Sequence, residues 1–221
     1  MKILSPLLSS IEGIEHQFGT CAEPRPAFFN EVPPQRRPRW KQVHGSSFAI
    51  VTHEGQGCGE VDALLTRAPG LPIAIITADC VPILLAKKDG SAIAAVHAGW
   101  RGTFNRILEN VWQHLSTEDE LATNWVAAIG PAIGPCCYEV SPDLFSDFQT
   151  QFGAQASLRP RHLDLPLINE LELRRFGFTD VERLAFCTHC RLAADGSPLF
   201  HSHRRNRDPG RQLSAIRLLE R

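Results

Sequence analysis

The sequence lacks an excess of positive charge. Its 23 lysines and arginines face 24 aspartates and glutamates, which gives a formal net charge of −1. Nucleic-acid-binding proteins normally carry a basic surface, so this balance argues against DNA or RNA as a partner. The arginines are spread unevenly, however, and one group lies near the C-terminus: Arg204, Arg205, Arg207 and Arg211. A local site for an anion therefore stays open.

The sequence also lacks an apolar run of the roughly 20 residues that crossing a bilayer takes. The most hydrophobic stretch, LPIAIITADCVPILLA at 71–86, carries Asp79 in its middle. Near the N-terminus, Pro6, Glu12 and Glu15 interrupt the apolar residues, so we expect no signal peptide. We expect a cytoplasmic protein that does not bind membranes.

Complete pairing of the cysteines is excluded, because the chain has seven of them. Thiols of cytoplasmic proteins are mostly reduced, so these residues are candidate ligands, nucleophiles or small core residues. Cys136 and Cys137 are adjacent, and Cys187 and Cys190 form a CxxC. A CxxC can be half of a zinc knuckle or a redox pair, but two adjacent cysteines are a poor second half. For these four we favour packing over metal binding.

The pattern of apolar residues predicts an α+β fold, with mixed β-sheets packed against helices in a layered sandwich. The length suits a single domain over residues 1–221. Short apolar runs predict buried strands at 47–51, 72–77, 81–86, 91–98 and 125–130. The proline-rich segment 22–40 predicts an irregular, exposed connection.

Amphipathic patterns predict three helices. The first covers 103–115 behind a possible Thr103 cap, the second covers 141–152 behind a Ser141 cap, and the third ends at Gly177. The last apolar segment, 210–220, fits a helix and a strand equally well. No internal repeat or low-complexity tract is present.

Three stretches place a metal-capable side chain where an apolar run meets a turn. They are KQVHG with His44, TADC with Cys80 and VHAGWRG with His97. Imidazole and thiolate are ligands that zinc prefers, and three protein ligands leave a fourth position open for water or substrate. One thiolate and two neutral imidazoles would leave a zinc site at net +1, which polarises a bound water. The residues are far apart in sequence, so spacing alone favours core histidines satisfied by backbone and a buried cysteine.

Further motifs accompany these stretches: VDALLT, IGPAIGPCCYEV, CTHC and FHSHRRNRDPGR. From about residue 40 onward, the set resembles the multicopper polyphenol oxidase (laccase)-like family, also described as zinc-dependent purine nucleoside phosphorylases. The resemblance implies that His44, Cys80 and His97 bind one Zn²⁺ per chain. It also implies phosphorolysis of adenosine, inosine and methylthioadenosine, with adenosine deamination as a side activity. The glycines after His97 would let backbone approach the substrate.

Two acidic residues lie near the proposed ligands in sequence, Asp62 and Asp79. Either could orient a ligand imidazole or relay a proton, which would make Asp79 part of the catalytic set. The alternative for Asp79 is a cap on the turn between two strands.

Three arginines are candidates for binding phosphate. Arg101 follows His97 by four residues, and its guanidinium fork can bind an anion with two hydrogen bonds. Its alternative is a surface position stacked on Trp100. Arg204 and Arg205 are further candidates, although a solvated basic surface is the commoner meaning of such a pair.

Other functions remain open. A multicopper oxidase needs about ten histidines, whereas this chain has nine and a single HxH at His201 and His203. Copper could still replace zinc adventitiously at the three ligands. Cys80 with His97 as its base could act as the nucleophile of a hydrolase that edits peptidoglycan precursors. A zinc-stabilised binding module is the non-enzymatic alternative, and it would unfold on metal loss.

Two stretches depart from the family pattern. IEHQFGT at 14–20 stands where a histidine-glycine-phenylalanine stretch is usual, and in FHSHRRNRD a histidine follows the serine in place of an aromatic residue. We expect a monomer or a weak homodimer.

Overall fold

The computed structural model describes residues 2–116, 120–154, 157 and 159–220. Its α-helices are α1 (Pro6–Ser9), α2 (Ala27–Glu31), α3 (Trp100–Phe104), α4 (Ile107–Ser116), α5 (Pro142–Phe152) and α6 (Leu165–Arg175). Its strands are β1 (Ile14–Phe18), β2 (Arg39–Lys41), β3 (Phe48–Val51), β4 (Gly57–Glu60), β5 (Ala63–Thr66), β6 (Ile73–Thr77), β7 (Val81–Lys87), β8 (Ile93–Ala98), β9 (Trp125–Ile129), β10 (Asp180–Arg183) and β11 (Gln212–Leu218). In these ranges no helix has the length and apolar character that a bilayer span requires.

The described strands form three sheets. The largest is mixed and has the order β10-β9-β7-β8-β5-β3. The second is antiparallel, with β11 between β1 and β6, and the third is the parallel pair β2 and β4.

Side-chain alternation along the strands of the six-stranded sheet builds a core on each face. Leu65 and Leu85 pack on one face with helices α4, α5 and α6. Their neighbours Leu64 and Leu84 pack on the other face with the three-stranded sheet. Helix α2 covers the outer face of that smaller sheet through Phe28 and its neighbour Phe29. The result is the layered α+β arrangement that the sequence predicts.

The five predicted strands are confirmed as β3, β6, β7, β8 and β9. The Ser141 cap is also confirmed, because its hydroxyl accepts the N–H of Leu144 at 3.3 Å. The third predicted helix is α6, which ends two residues before Gly177. The ambiguous segment 210–220 contains strand β11, since it pairs with a strand on each side.

Two local predictions differ from the structure. Thr103 does not cap a helix but lies inside the short helix α3. Arg106 then takes a left-handed conformation, with φ of 60°, and separates α3 from α4. The segment 22–40 is not irregular throughout, because it contains α2 and its last two residues begin β2. The two phenylalanines of α2 have a sheet face to cover, which outweighs the surrounding prolines.

Candidate metal and active site

Strand pairing brings the three candidate ligands together. Strands β7 and β8 are antiparallel neighbours with Pro82 opposite His97, so Cys80, just before β7, lies beside that histidine. His44 arrives from the loop between β2 and β3 and has a left-handed backbone, with φ of 59°. Ligand atoms of His44, Cys80 and His97 all lie within 4.8 Å of one another. The three side chains that the resemblance assigns to one metal site are therefore neighbours in space.

A fully buried carboxylate, Asp62, fixes the side chain of His97 and the backbone at His44. It lies just before β5, and its Oδ1 is 2.7 Å from Nδ1 of His97. Its oxygens also accept three consecutive backbone N–H groups of the β2–β3 loop, those of Val43, His44 and Gly45. Because Nδ1 of His97 is engaged, Nε2 is the nitrogen left to face a ligand. Asp62 has the position of a residue that orients an imidazole.

The pKa values of Cys80 and His97 follow from these contacts. Burial raises the pKa of Cys80, but hydrogen bonds from His44 and His97 outweigh it and lower that pKa to about 6. Burial likewise lowers the pKa of His97, but Asp62 and Cys80 outweigh it and raise that pKa to about 9. Both shifts favour a thiolate at Cys80, which is the form that binds a metal and also the form that acts as a nucleophile.

The glycines of HAGWRG make room for these residues. A Cβ on Gly99 would lie 3.0 Å from Sγ of Cys80, and a Cβ on Gly102 would lie 3.0 Å from the carbonyl oxygen of Gly45. Real Cβ contacts are seldom this short. Gly99 and Gly102 thus allow the backbone to approach Cys80 and the His44 loop closely.

The three side chains line a cavity of about 720 Å³. Aromatic side chains, Trp40, Trp100 and Tyr138, form parts of its wall. Four cationic side chains also line it: Lys41, Arg101, Arg204 and Arg211. A cavity that joins aromatic faces to positive charge suits a ligand with a planar apolar part and an anionic part.

Two arginines of the cavity wall, Arg101 and Arg204, are candidates for phosphate binding from the sequence. Each stacks on an aromatic ring. The Arg101 guanidinium lies 4.5 Å from the ring centre of Trp100, and that of Arg204 lies 5.3 Å from the ring centre of Tyr138. Arg101 therefore combines the stacked position with a place in the cavity wall. Arg204 also donates to the carbonyl oxygen of Glu139 at 2.8 Å.

Asp79 and Arg205 make contacts within the protein. Asp79 accepts the hydroxyl of Thr188 at one carboxylate oxygen and the N–H of Arg204 at the other, each at 2.7 Å. It lines the cavity, yet its carboxylate ties two loops together. Arg205 donates instead to the backbone carbonyls of three residues, Thr188, His189 and Phe200. It is not among the residues that line the cavity, so this placement favours a structural role over phosphate binding.

Several residues of the cavity wall were missed from the sequence, among them Trp40, Gln42, Tyr138 and His203. Gln42 holds β6, since its amide donates to the Ile76 carbonyl at 2.8 Å and accepts the Ile76 N–H at 2.6 Å. Its position two residues before His44 was a sequence signal that could have identified Gln42 as a residue of the cavity wall. The two histidines of the HxH motif have different environments. His203 lines the cavity, whereas His201 pairs with Asp208 at 3.0 Å.

The four cysteines for which we favoured packing have two environments. Cys137 and Cys187 do pack against the core beneath the helices. Cys136 and Cys190 are exposed, so packing does not explain them. All four sulfurs lie within 4.8 Å of one another, because the turn at 134–138 directs both adjacent cysteines toward the CxxC.

Comparisons with known proteins agree on one family. A family model described as multi-copper polyphenol oxidoreductase laccase matches residues 23–219. The chain is 35% identical over 156 residues to a purine nucleoside phosphorylase of Rickettsia conorii, a match that spans 67% of this chain and 64% of that relative. It is 37% identical over 188 residues to a purine nucleoside phosphorylase of Xylella fastidiosa, spanning 79% of this chain and 69% of the relative. The solved structure of YlmD from Geobacillus stearothermophilus is 27% identical and superposes with a TM-score of 0.78, over 98% of this chain and 94% of that one.

Proposed function

The chain belongs to the multi-copper polyphenol oxidoreductase laccase family, and from this we propose that it is a zinc-dependent purine nucleoside phosphorylase with adenosine deaminase activity. The proposed substrates are inorganic phosphate with adenosine, inosine or methylthioadenosine. Relatives named purine nucleoside phosphorylase support the reaction class. The observation that carries the proposal is the convergence of His44, Cys80 and His97 in a cavity with aromatic and cationic walls.

The donor set fits zinc. Two imidazoles and one thiolate are zinc ligands, and three protein ligands are the number that leaves an open coordination position. The contact between Asp62 and His97 supplies the outer partner that a ligating imidazole usually has. When bound, zinc would act as a Lewis acid that polarises an oxygen at the open position.

The residues of the cavity wall have separate parts in this proposal. Phosphorolysis breaks the bond between the purine and the ribose C1′, and a phosphate oxygen takes the place of the base. Arg101 and Arg204 would hold the phosphate with charge-assisted hydrogen bonds. Trp40 and Trp100 would offer aromatic faces to the purine. Holding both reactants in one site lowers the entropic part of the barrier.

The copper oxidase alternative has no support from the side-chain arrangement. In the described part of the chain, the groups that could hold a metal are the two already named, His44 with Cys80 and His97, and the four cysteines. A three-copper cluster requires further sets of imidazoles. The lowered pKa of Cys80 does favour one competitor, a thiolate hydrolase, so the experiment must separate that reaction from a metal-dependent one.

Metal content and phosphate dependence distinguish a metal-dependent phosphorylase from a thiolate hydrolase. Protein purified without added metal is analysed for zinc and copper, and assayed with inosine and with adenosine, each with and without phosphate. We expect zinc, release of hypoxanthine from inosine only when phosphate is present, and conversion of adenosine to inosine. Active metal-free protein would assign Cys80 the role of a nucleophile, and copper with phenol oxidation would reverse the proposal.

The Cys80→Ala variant tests the ligand assignment. We expect it to lose one equivalent of zinc and its turnover while its thermal unfolding stays cooperative. The matched control is Cys58→Ala, because Cys58 is a free thiol outside both metal-capable groups. Full zinc content in Cys80→Ala would refute the assignment, and complete unfolding would favour a zinc-stabilised binding module.

The Arg101→Ala variant tests phosphate binding. Hydrogen bonds to charged groups contribute about 1.5–3 kcal/mol, so the KM for phosphate should rise about 10- to 100-fold while the KM for inosine changes little. Arg36→Ala is the control, since Arg36 is an exposed arginine that pairs with Glu54 and does not line the cavity. An unchanged KM for phosphate would exclude this role for Arg101.

A further inference from the structure

Four cysteines from two loops meet beside the cavity. Cys136 and Cys137 come from the turn after β9, Cys187 and Cys190 come from the CTHC loop, and their sulfurs lie within 4.8 Å of one another. The Cys136 and Cys190 sulfurs are 3.8 Å apart. With zinc–sulfur bonds of about 2.3 Å, the edge of a sulfur tetrahedron is also about 3.8 Å. We propose that these four cysteines bind a second Zn²⁺ as a structural tetrathiolate site.

A backbone donor at Cys187 supports a ligating thiolate. The N–H of Gly134 donates to Sγ of Cys187 at 3.3 Å. A hydrogen bond to this sulfur stabilises its negative form, which is the form that binds metal.

The turn at 134–138 allows the sulfurs of two adjacent cysteines to reach the same point. The N–H groups of Cys137 and Tyr138 both donate to the Gly134 carbonyl, at 2.9 and 3.0 Å. The backbone thus folds back at the two cysteines, and both sulfurs reach the CxxC.

The surroundings suit the charge of such a site. Four thiolates with one Zn²⁺ carry a net charge of −2. The guanidinium of Arg205 lies at the same loop, where it donates to the carbonyls of Thr188 and His189 at 3.2 and 3.0 Å. Four sulfur ligands in a tetrahedral arrangement favour zinc over the harder cations.

The cysteine site connects to the proposed active site through Asp79. Thr188, between the two cysteines of the CxxC, donates to the Asp79 carboxylate at 2.7 Å. Ile133, next to Gly134, donates its N–H to the Asp79 carbonyl at 2.9 Å. Asp79 directly precedes Cys80. A metal that joins the two loops would therefore fix the backbone that carries Cys80, whatever reaction the cavity supports.

The test uses wild-type protein, Cys80→Ala and Cys190→Ser, purified under reducing conditions without added metal. We expect two equivalents of zinc in the wild type and one in each variant, with none in the double variant. Cys21→Ser is the control and should keep both. X-ray absorption at the zinc edge of Cys80→Ala should show sulfur neighbours alone, at about 2.3 Å.

Several outcomes would overturn the site. Complete loss of the wild-type zinc in Cys80→Ala would do so, as would nitrogen or oxygen neighbours around any zinc that Cys80→Ala retains. Disulfides among the four cysteines in freshly purified wild-type protein, detected by thiol counting and mass spectrometry, would assign them to redox chemistry instead. The absorption measurement does not require Cys190→Ser to fold. This measurement also requires no enzymatic activity, so it tests the tetrathiolate site even if the phosphorylase proposal fails.

Discussion

Two histidines in this protein are almost completely buried, yet their surroundings give them opposite properties. His97 at the end of β8 is 2% exposed, and His16 in β1 is 4% exposed. Burial lowers the pKa of each imidazole. At His97 the Asp62 carboxylate and the Cys80 thiolate reverse the effect and raise its pKa to about 9. His16 has no such partner, and burial lowers its pKa to about 4.

The difference lies in what each ring contacts. Nε2 of His16 accepts the N–H of Ser5 at 2.8 Å, so the neutral ring completes a backbone hydrogen bond. His97 uses Nδ1 to contact a buried carboxylate, which leaves Nε2 for the cavity. Burial alone therefore does not mark a functional histidine. What distinguishes His97 is an acidic partner on one nitrogen and a cavity at the other.

Removing the acidic partner should have the largest effect. Asp62→Ala would leave a buried imidazole and three backbone N–H groups without their acceptor. Breaking a buried charged pair from one side costs about 3–5 kcal/mol, and we expect that loss in the free energy of unfolding, measured with urea.

Asp62→Asn gives the sharper comparison, because it keeps the size and removes the charge. We expect its zinc affinity at the His44, Cys80 and His97 site to fall about 10- to 100-fold, measured by competition with a chelator. Wild-type affinity in this variant would mean that His97 does not depend on its carboxylate.

Acid should destabilise the protein through His16. Its pKa is 6.5 in the unfolded chain and about 4 in the folded one, so the unfolded state binds more protons between these values. The stabilising contribution of the neutral ring is complete above pH 6.5 and is lost as pH falls toward 4. At about 1.36 kcal/mol for each pKa unit, the loss amounts to about 3 kcal/mol.

His16→Gln keeps an acceptor for Ser5 but does not titrate in this range. Its free energy of unfolding, measured with urea from pH 4 to 7, should therefore depend less on pH than that of the wild type. His53→Gln is the control, because His53 is exposed. Parallel curves for the wild type and His16→Gln would contradict the assignment.

Filling the space beside Cys80 should have the smallest effect. The added methyl of Gly99→Ala would lie 3.0 Å from the Cys80 sulfur and push it away from the two imidazoles. Overpacking of this kind costs about 1–3 kcal/mol, and we expect a loss near the lower limit. The measurement is zinc affinity together with thermal unfolding. Gly57→Ala is the matched control, since a Cβ there meets nothing within 4 Å.

The sequence predicts strands that are continuous apolar runs well and polar strands poorly. Strands β7, β8 and β9 are continuous apolar runs because both faces of their sheet are covered. Strands β4 and β10 have the sequences GCGE and DVER, which carry no apolar pattern. Their neighbours in the sheet decide their conformation, and a local pattern does not contain that information.

The candidate site, too, was only partly predictable from the sequence. His44, Cys80 and His97 were identified through motifs, but their convergence depends on the register of β7 with β8 and on Asp62. His16 was visible only as a departure from the family pattern, because its partner is a backbone group. Packing accounts for Cys137 and Cys187 but not for the exposed Cys136 and Cys190. The arrangement of the four depends on a turn whose shape the two adjacent residues do not reveal.

The position of β11 in the chain has a consequence for synthesis on the ribosome. This strand is the middle of the three-stranded sheet, and its Arg217 pairs with Glu15 across a separation of 202 residues. Until β11 emerges, β1 and β6 have no strand between them, and one face of the large sheet stays uncovered. Uncovered apolar surface on a growing chain is prone to aggregation. The nascent chain should therefore be most prone to aggregation before β11 has emerged.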